Sequence, residues 1–249
     1  MAINRARTAL GRVFFQRCFY LFIGLLVLIM VALLLDPTPR GRMLVNAINL
    51  LIDVAAVAAV GRFTLSFVIA SALAIPSMFF QVRGIAEGDE TRLLISWVFN
   101  AALYAVTIAY LLRYVFLRDV MTTDKLYGAA AAYLMIGVLW ALLYAIASHF
   151  ERDSFAIGGN VTTPAFSDLL YFSITTLTST GFGDIVPLLR RVRALCVLEQ
   201  LTGALFLAIL IARLAGVYPP PPPPRPGDAT TAPTFIRRLR ERTRSGPPP

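Results

Sequence analysis

The sequence predicts an all-α membrane protein with six transmembrane helices and one re-entrant helix between the fifth and the sixth. Of its 249 residues, 57% are apolar, which is more than an ordinary soluble domain uses. Several apolar stretches are long enough to cross the hydrocarbon core at 1.5 Å of rise per residue. One apolar stretch near residue 170 is too short to cross it, and a run of Thr, Ser and Gly follows that stretch.

Basic residues give the chain a net charge of +9 and gather at its two ends and in short loops. Residues 1–12 form a basic arm that the positive-inside rule assigns to the cytoplasm. Residues 218–249 form a basic tail that opens with the polyproline run Pro219–Pro224, and we expect it to be disordered and cytoplasmic. Because no soluble portion remains to carry a basic face, nucleic-acid binding is not expected.

Residues 13–118 are predicted to form a four-helix front domain. Its spans are expected at residues 13–35, 43–60, 63–81 and 92–117. The apolar stretch from Met43 to Phe80 is too long for one span, and Gly61-Arg62 is its only break. Splitting it there gives an even number of spans, which puts both termini on the cytoplasmic side. The polar residues 81–91 are then an outer loop, and Asp53 is an intramembrane acid that we expect to pair with Arg62, Asn46 or Asn49.

Residues 119–217 are predicted to form a second domain with two long helices, at about residues 126–150 and 189–217. An outer turret at residues 151–162 follows the first of them. Thr163 is a candidate N-cap with Pro164 at the first helical position, so a helix is expected at about 164–177. That helix is too short to span the membrane and must be re-entrant, buried in protein rather than in lipid.

The string that follows the short helix contains Thr178, Ser179, Thr180, Gly181, Phe182, Gly183 and Asp184. Glycine takes φ > 0 without the penalty that a Cβ brings. Alternating left- and right-handed residues aim successive carbonyl oxygens in the same direction. A ring of such carbonyls can replace the hydration shell of a cation.

This string resembles the selectivity filter of potassium channels, and the resemblance extends over roughly residues 125–217. It implies K⁺ coordination by Ser179, Thr180, Gly181 and Phe182, with Thr178 at the inner mouth and Gly183 completing the filter. It also implies that Asp184 lies at the outer mouth and accepts a hydrogen bond from Tyr171. Two positions depart from the family pattern, since Thr180 stands where Val, Ile or Leu is usual and Phe182 where Tyr is commonest. One such segment per chain implies a homotetramer.

The last span resembles the inner helix of prokaryotic potassium channels over Leu198–Leu214. Gly203 lies twenty residues after Gly183, the position of the family's gating hinge. Glycine weakens a helix interior and can therefore serve as a bend point. The alternative is that Gly203 only permits close packing of helices. Glu199 is an intramembrane acid that we expect to support the filter from behind or to pair with a polar neighbour.

Regulation depends on the fourth span, where a voltage sensor needs several Arg or Lys residues. Residues 93–112 contain none, so weak or absent voltage dependence is expected. These observations together predict a K⁺-selective channel and not an enzyme. No cofactor is expected, and K⁺ is the permeant ion. We expect a multi-pass protein that is embedded in the lipid bilayer of the plasma membrane. A non-selective cation channel remains an alternative, and a secondary transporter with a re-entrant loop is a more distant one.

Overall fold

The computed structural model describes residues 17–35, 39–60, 64–117 and 122–217. The basic arm at residues 1–12 and the tail at residues 218–249 lie outside these ranges, as does the first part of the predicted span at 13–35. The chain forms two compact units, residues 1–215 and 216–249. All the elements described below belong to the first unit, apart from the last two residues of the final helix.

Seven helices and three short strands make up the described part of the chain. The helices are α1 (Arg17–Leu34), α2 (Pro39–Val60), α3 (Thr64–Glu87), α4 (Glu90–Phe116), α5 (Thr123–Phe150), α6 (Phe166–Leu177) and α7 (Arg190–Val217). The strands are β1 (Phe155–Ile157), β2 (Asn160–Thr162) and β3 (Ile185–Pro187). Among the described residues, α2, α3, α4, α5 and α7 are long and apolar enough to cross a membrane, and α1 adds a shorter apolar stretch, Cys18–Leu34. The chain is an integral membrane protein.

The long apolar stretch that begins at Met43 forms two helices, α2 and α3, as its length predicts. The expected outer loop at residues 81–91 is wrong, because α3 continues to Glu87 and α4 begins at Glu90. Gly88 has φ +66°, and the Asp89 carboxylate accepts hydrogen bonds from the first backbone amides of α4. Ion pairs of Glu87 with Arg83 and Arg92 hold the polar end of α3 in helical form. The polar residues therefore extend and cap helices instead of forming a loop.

The expected turret is a small antiparallel sheet in the order β2-β1-β3. Gly158 and Gly159, both at positive φ, turn β1 into β2. The expected N-cap at Thr163 is also wrong, since Ala165 is the N-cap of α6 and its amide donates to Asp168 Oδ2 at 2.9 Å. Asp168 supplies the acceptor for the helix start from inside the first turn, so Thr163 is not needed for this.

Helix α5 lies at the centre of the described fold and packs against α1, α4 and α6. Helix α1 also touches α6, so one of the first four helices lies directly against the short helix. The main core is apolar and includes Leu21, Leu25, Tyr104, Met135 and Leu142. This arrangement brings residues 17–117 against residues 122–217 of the same chain.

Asp53 is fully buried in α2, but the predicted pairing with neighbouring amides is not formed. Asn46 Oδ1 accepts from Gln81 at 3.1 Å, and Asn49 Oδ1 accepts from the Tyr104 hydroxyl at 2.8 Å. Neither Asp53 carboxyl oxygen has a partner of full hydrogen-bond geometry among the described residues, although the Tyr104 hydroxyl lies near enough to interact with this carboxyl group. Arg62, the other expected partner, lies outside the described residues.

Helix α7 meets the rest of the described chain along one narrow stripe. Its buried residues are Val192, Glu199, Gly203 and Phe206, which share one helix face. Near its C-terminal end the Arg213 guanidinium donates to the carbonyl of Leu117, which caps the C-terminus of α4. Most of the remaining surface of α7 is apolar and exposed in the single chain.

Candidate functional site: a carbonyl-lined loop behind a short helix

The loop after α6 has an alternating backbone. Ser179, Gly181 and Gly183 have φ values of 57°, 55° and 81°, whereas Thr180 and Phe182 between them are not in the left-handed region. The glycines adopt this conformation at little cost, but Ser179 carries a Cβ and is strained there by about 1–2 kcal/mol. The sequence pattern did not identify Ser179 as left-handed. The glycines at positions 181 and 183 are two residues apart, and the same spacing extended back from Gly181 would have identified position 179.

Backbone amides of the loop are tied back to the last turn of α6. Ser179 N donates to Thr176 O at 2.9 Å, and Thr180 N donates to Thr175 O at 2.8 Å. Gly181 N reaches the same Thr175 carbonyl at 3.3 Å. In the described part of the chain, no hydrogen bond is made to the carbonyl oxygens of residues 179–183. The amides of residues 179–181 are therefore satisfied on the helix side, while the oxygens of residues 179–183 stay available as ligands.

Thr180 has a hydroxyl where an apolar side chain was expected from the resemblance, and this hydroxyl has a partner. Its Oγ1 lies 2.9 Å from Thr178 Oγ1, which itself lies 2.8 Å from the Ile174 carbonyl. A carbonyl can only accept, so Thr178 donates to Ile174 and Thr180 donates to Thr178. The hydroxyl thus links the loop to α6 and does not remain unsatisfied.

Tyr171 supports the outer half of the loop from α6. Its ring stacks on the ring of Phe182, with centroids 6.2 Å apart and planes 7° from parallel. Partial burial raises the pKa of the Tyr171 hydroxyl, and the hydrogen bond to the nearby Asp184 carboxylate raises it further. A phenol is protonated at neutral pH, so the Tyr171 hydroxyl can donate to Asp184.

The sheet holds the far end of the loop. Gly158 N donates to the Asp184 carbonyl at 2.9 Å, and β3, which begins at the next residue, pairs with β1. Leu188 N then donates to Ser154 O at 2.8 Å. The loop is therefore fixed at one end by α6 and at the other by a three-stranded sheet that the sequence did not predict.

Helix α7 approaches the C-terminus of α6 very closely at Gly203. A Cβ placed on Gly203 would meet the backbone oxygen of Leu177 at 2.2 Å. Helix α7 runs without a break through this position, so the close-packing alternative describes Gly203 in this conformation. The Tyr133 hydroxyl of α5 also donates to Leu177 O, at 3.3 Å. The end of α6 is thus held from both neighbouring helices.

Glu199 lies behind the loop, fully buried, and joins three helices. The Tyr144 hydroxyl of α5 lies 2.6 Å from Glu199 Oε2, and Ser173 Oγ of α6 lies 2.5 Å from Oε1. Ser173 Oγ also lies 2.7 Å from the Gly137 carbonyl of α5. The sequence indicated Glu199 as a support, but it gave no signal for Tyr144 or Ser173 as its partners.

The site contains carbonyl and hydroxyl oxygens as its available cation ligands. Among the described residues, no group of three or more His, Cys, Asp or Glu side chains could hold a metal ion. Uncharged oxygens beyond the C-terminal end of a helix suit a monovalent cation that is bound weakly and released.

Known proteins resemble this region of the chain. Residues 128–218 match the sequence profile of a family described as "Ion channel", and this segment contains most of α5, the sheet, α6, the loop and α7. Over 97 residues the chain is 33% identical to "Two-pore potassium channel 4" of Arabidopsis thaliana. The aligned segment is 39% of this chain and 33% of that protein, so the chain spans about a third of the length of that relative. No solved structure matches the chain.

The helices and these similarities define the class of the protein. It is a multi-span membrane protein whose C-terminal region is similar to ion channels. The similarity to ion channels covers residues 128–218, which carry the alternating loop.

Proposed function

We propose that the protein is a K⁺-selective channel, assembled as a homotetramer around the loop at residues 178–183. K⁺ would move through it by stepwise dehydration on the carbonyls of Ser179, Thr180, Gly181 and Phe182. The observation that carries the proposal is the alternation of φ at residues 179, 181 and 183 together with the absence of hydrogen bonds to their carbonyls in the described chain. The similarity of residues 128–218 to ion channels supports it.

The uncovered loop and inner helix support the assembly. Residues 178–184 are exposed in the single chain, as is most of α7. Exposed apolar side chains such as Leu198, Leu201 and Leu205 lie on that helix. One loop cannot surround an ion, whereas four loops about a shared axis complete its coordination. In that assembly the C-termini of four α6 helices would direct partial negative charge toward the axis.

The proposed topology has six spans with both termini in the cytoplasm, in the plasma membrane. With the apolar helix α1 counted as the first span, the proposed number of spans is six. Helix α4 has Arg92 and Arg113 only near its ends, so we expect weak or no dependence of opening on voltage. Steep voltage-dependent opening of the reconstituted protein would overturn this part of the proposal.

Liposome flux with a matched pair of glycine variants tests the channel. Gly183 and Gly159 have φ values of 81° and 84°, and no atom would meet a Cβ at either position. Alanine therefore costs a similar strain, about 1–2 kcal/mol, at both sites. We expect Gly183→Ala to abolish K⁺ flux driven by a K⁺ gradient, and Gly159→Ala to leave the flux intact.

Equal loss of flux in both variants would mean that the loop has no special role, and the proposal would fail. The same liposomes under a Na⁺ gradient separate the two kinds of channel. Flux with K⁺ and little with Na⁺ supports the selective channel, and similar flux with both ions supports the non-selective alternative. Single-channel currents distinguish either from a transporter.

A further inference from the structure

The hydrogen bonds around Glu199 require more protons than the hydroxyl groups of Ser173 and Tyr144 supply. Three short oxygen–oxygen contacts meet here: Ser173 to Gly137, Ser173 to Glu199, and Tyr144 to Glu199. Each is at hydrogen-bond distance and needs one proton between its two oxygens. Ser173 and Tyr144 bring one proton each. The third proton must come from elsewhere.

The Gly137 carbonyl decides where the protons lie, because a carbonyl oxygen can only accept. The proton of Ser173 therefore points to Gly137, and the Ser173 oxygen presents a lone pair to Glu199. An ionised carboxylate would then face that lone pair at 2.5 Å with no proton between them, which is repulsive. A carboxylic acid instead donates to Ser173 Oγ and accepts from Tyr144.

The surroundings of Glu199 offer nothing to neutralise a negative charge. The titratable groups around it are Tyr144 and Tyr133 on α5 and Cys196 on α7, and from α6 it meets the Ser173 hydroxyl. No ion pair of the described chain includes Glu199, and its side chain is fully buried. An unpaired charge inside a membrane bundle is costly, whereas the neutral acid is not.

We infer that Glu199 is a neutral carboxylic acid that acts as a positioning residue, joining α5, α6 and α7 behind the carbonyl loop. The acid donates to α6 through Ser173 and accepts from α5 through Tyr144. Gly203 follows Glu199 by four residues on the same face of α7, where it meets the last carbonyl of α6. The protonated acid therefore fixes the depth and orientation of α6, and with it the loop that α6 carries.

The protonation state is testable by infrared difference spectroscopy on the full chain in lipid nanodiscs at pH 7. We expect the wild type minus Glu199→Gln spectrum to contain the C=O stretch of a protonated carboxyl group, shifted in D₂O. Asp53 is present in both samples and cancels. A spectrum with only the bands of an ionised carboxylate would overturn the inference.

The positioning role rests on the proposed channel function, and flux measurements test it separately. Glutamine keeps all three contacts, since its amide N–H donates to Ser173 and its oxygen accepts from Tyr144. We expect Glu199→Gln to fold and to retain both K⁺ flux and preference over Na⁺. Glu199→Leu loses two hydrogen bonds and leaves Tyr144 without an acceptor, so its K⁺ flux should fall by about tenfold or more.

The two measurements fail in distinguishable ways. A protonated-acid band in a protein that passes no K⁺ would leave the neutral acid in place and remove the channel function. A Gln variant that misfolds or loses flux as severely as the Leu variant would mean that the charge is required. A Leu variant with normal flux and selectivity would end the positioning role.

Discussion

Helices α5 and α7 are equally long at 28 residues and have the same mean hydropathy of 2.1, but the fold uses them differently. In α5, 14 residues are buried within the chain, and in the described part of α7 only 4 are. Helix α5 contacts α1, α4 and α6, whereas α7 touches the others along one stripe. Apolar composition therefore identifies a membrane helix but does not show which surface packs against it.

The buried stripe of α7 carries the residues that matter for the loop. Glu199 and Gly203 face α6, and the opposite apolar surface is left for lipid or for copies of the same chain. Helix α5 instead serves as the fixed element against which both α6 and the front helices rest. Matched pairs of variants on the two helices test this contrast.

The largest effect is expected from alanine at the two glycines that face α6. At Gly203 on α7 a Cβ would lie 2.2 Å from the Leu177 backbone oxygen, which cannot move without moving the loop. At Gly137 on α5 it would meet Ile174 Cδ1 at 2.6 Å, the far end of a flexible side chain. We expect Gly203→Ala to cost about 1–3 kcal/mol by overpacking and to remove most K⁺ flux, and Gly137→Ala to cost less than half of that. Thermal unfolding and liposome flux measure both, and equal effects would remove the distinction.

An intermediate effect is expected from asparagine on the exposed faces. Leu205 on α7 is 58% exposed in the single chain and Leu126 on α5 is 44% exposed. If copies of the chain cover α7, Leu205→Asn buries an amide in a subunit interface at a cost of about 1–3 kcal/mol. Native mass spectrometry should then show a lower tetramer fraction for Leu205→Asn and none of this loss for Leu126→Asn. An unchanged assembly in both variants would mean that lipid alone covers α7.

The smallest effect is expected from removing one hydroxyl on each helix. Tyr133 on α5 donates across to Leu177 O of α6, whereas Thr202 on α7 donates to Leu198 O of its own helix at 2.7 Å. Tyr133→Phe should therefore destabilise the protein by about 0.5–1.5 kcal/mol. Thr202→Val breaks no contact between elements and should leave the unfolding midpoint nearly unchanged. A larger loss in Thr202→Val would show that α7 carries more of the packing than its single buried stripe suggests.

The candidate site was predictable where a residue type has a single local meaning. Glycines at residues 181 and 183 indicated positive φ, and the structure has both there. The left-handed Ser179 was not predictable from its type, since side chains with a Cβ resist that region. Glu199 was recognisable as unusual because a carboxyl group in an apolar helix is costly. Its partners Tyr144 and Ser173 were not, because they lie 55 and 26 residues away in sequence.

Residues near the helix ends were the least predictable part of the fold. Polar residues at 81–91 suggested a loop, but ion pairs and the Asp89 cap made them helix ends. The turret predicted at residues 151–162 contains two strands, and one of them, Phe155–Ile157, also pairs with Ile185–Pro187 beyond the filter-like string. Both outcomes depend on partners that are brought together only by folding.

Most helices of the described chain could be located from the sequence alone, because membrane-length apolar runs, prolines and glycines act through local physics. Tertiary packing sets how α6 is held, which oxygens of the described loop remain without hydrogen bonds, and which face of α7 is covered. Those properties depend on atoms that are distant along the chain. The neutral carboxylic acid that we infer for Glu199 depends on this packing, because its partners Tyr144 and Ser173 lie on other helices.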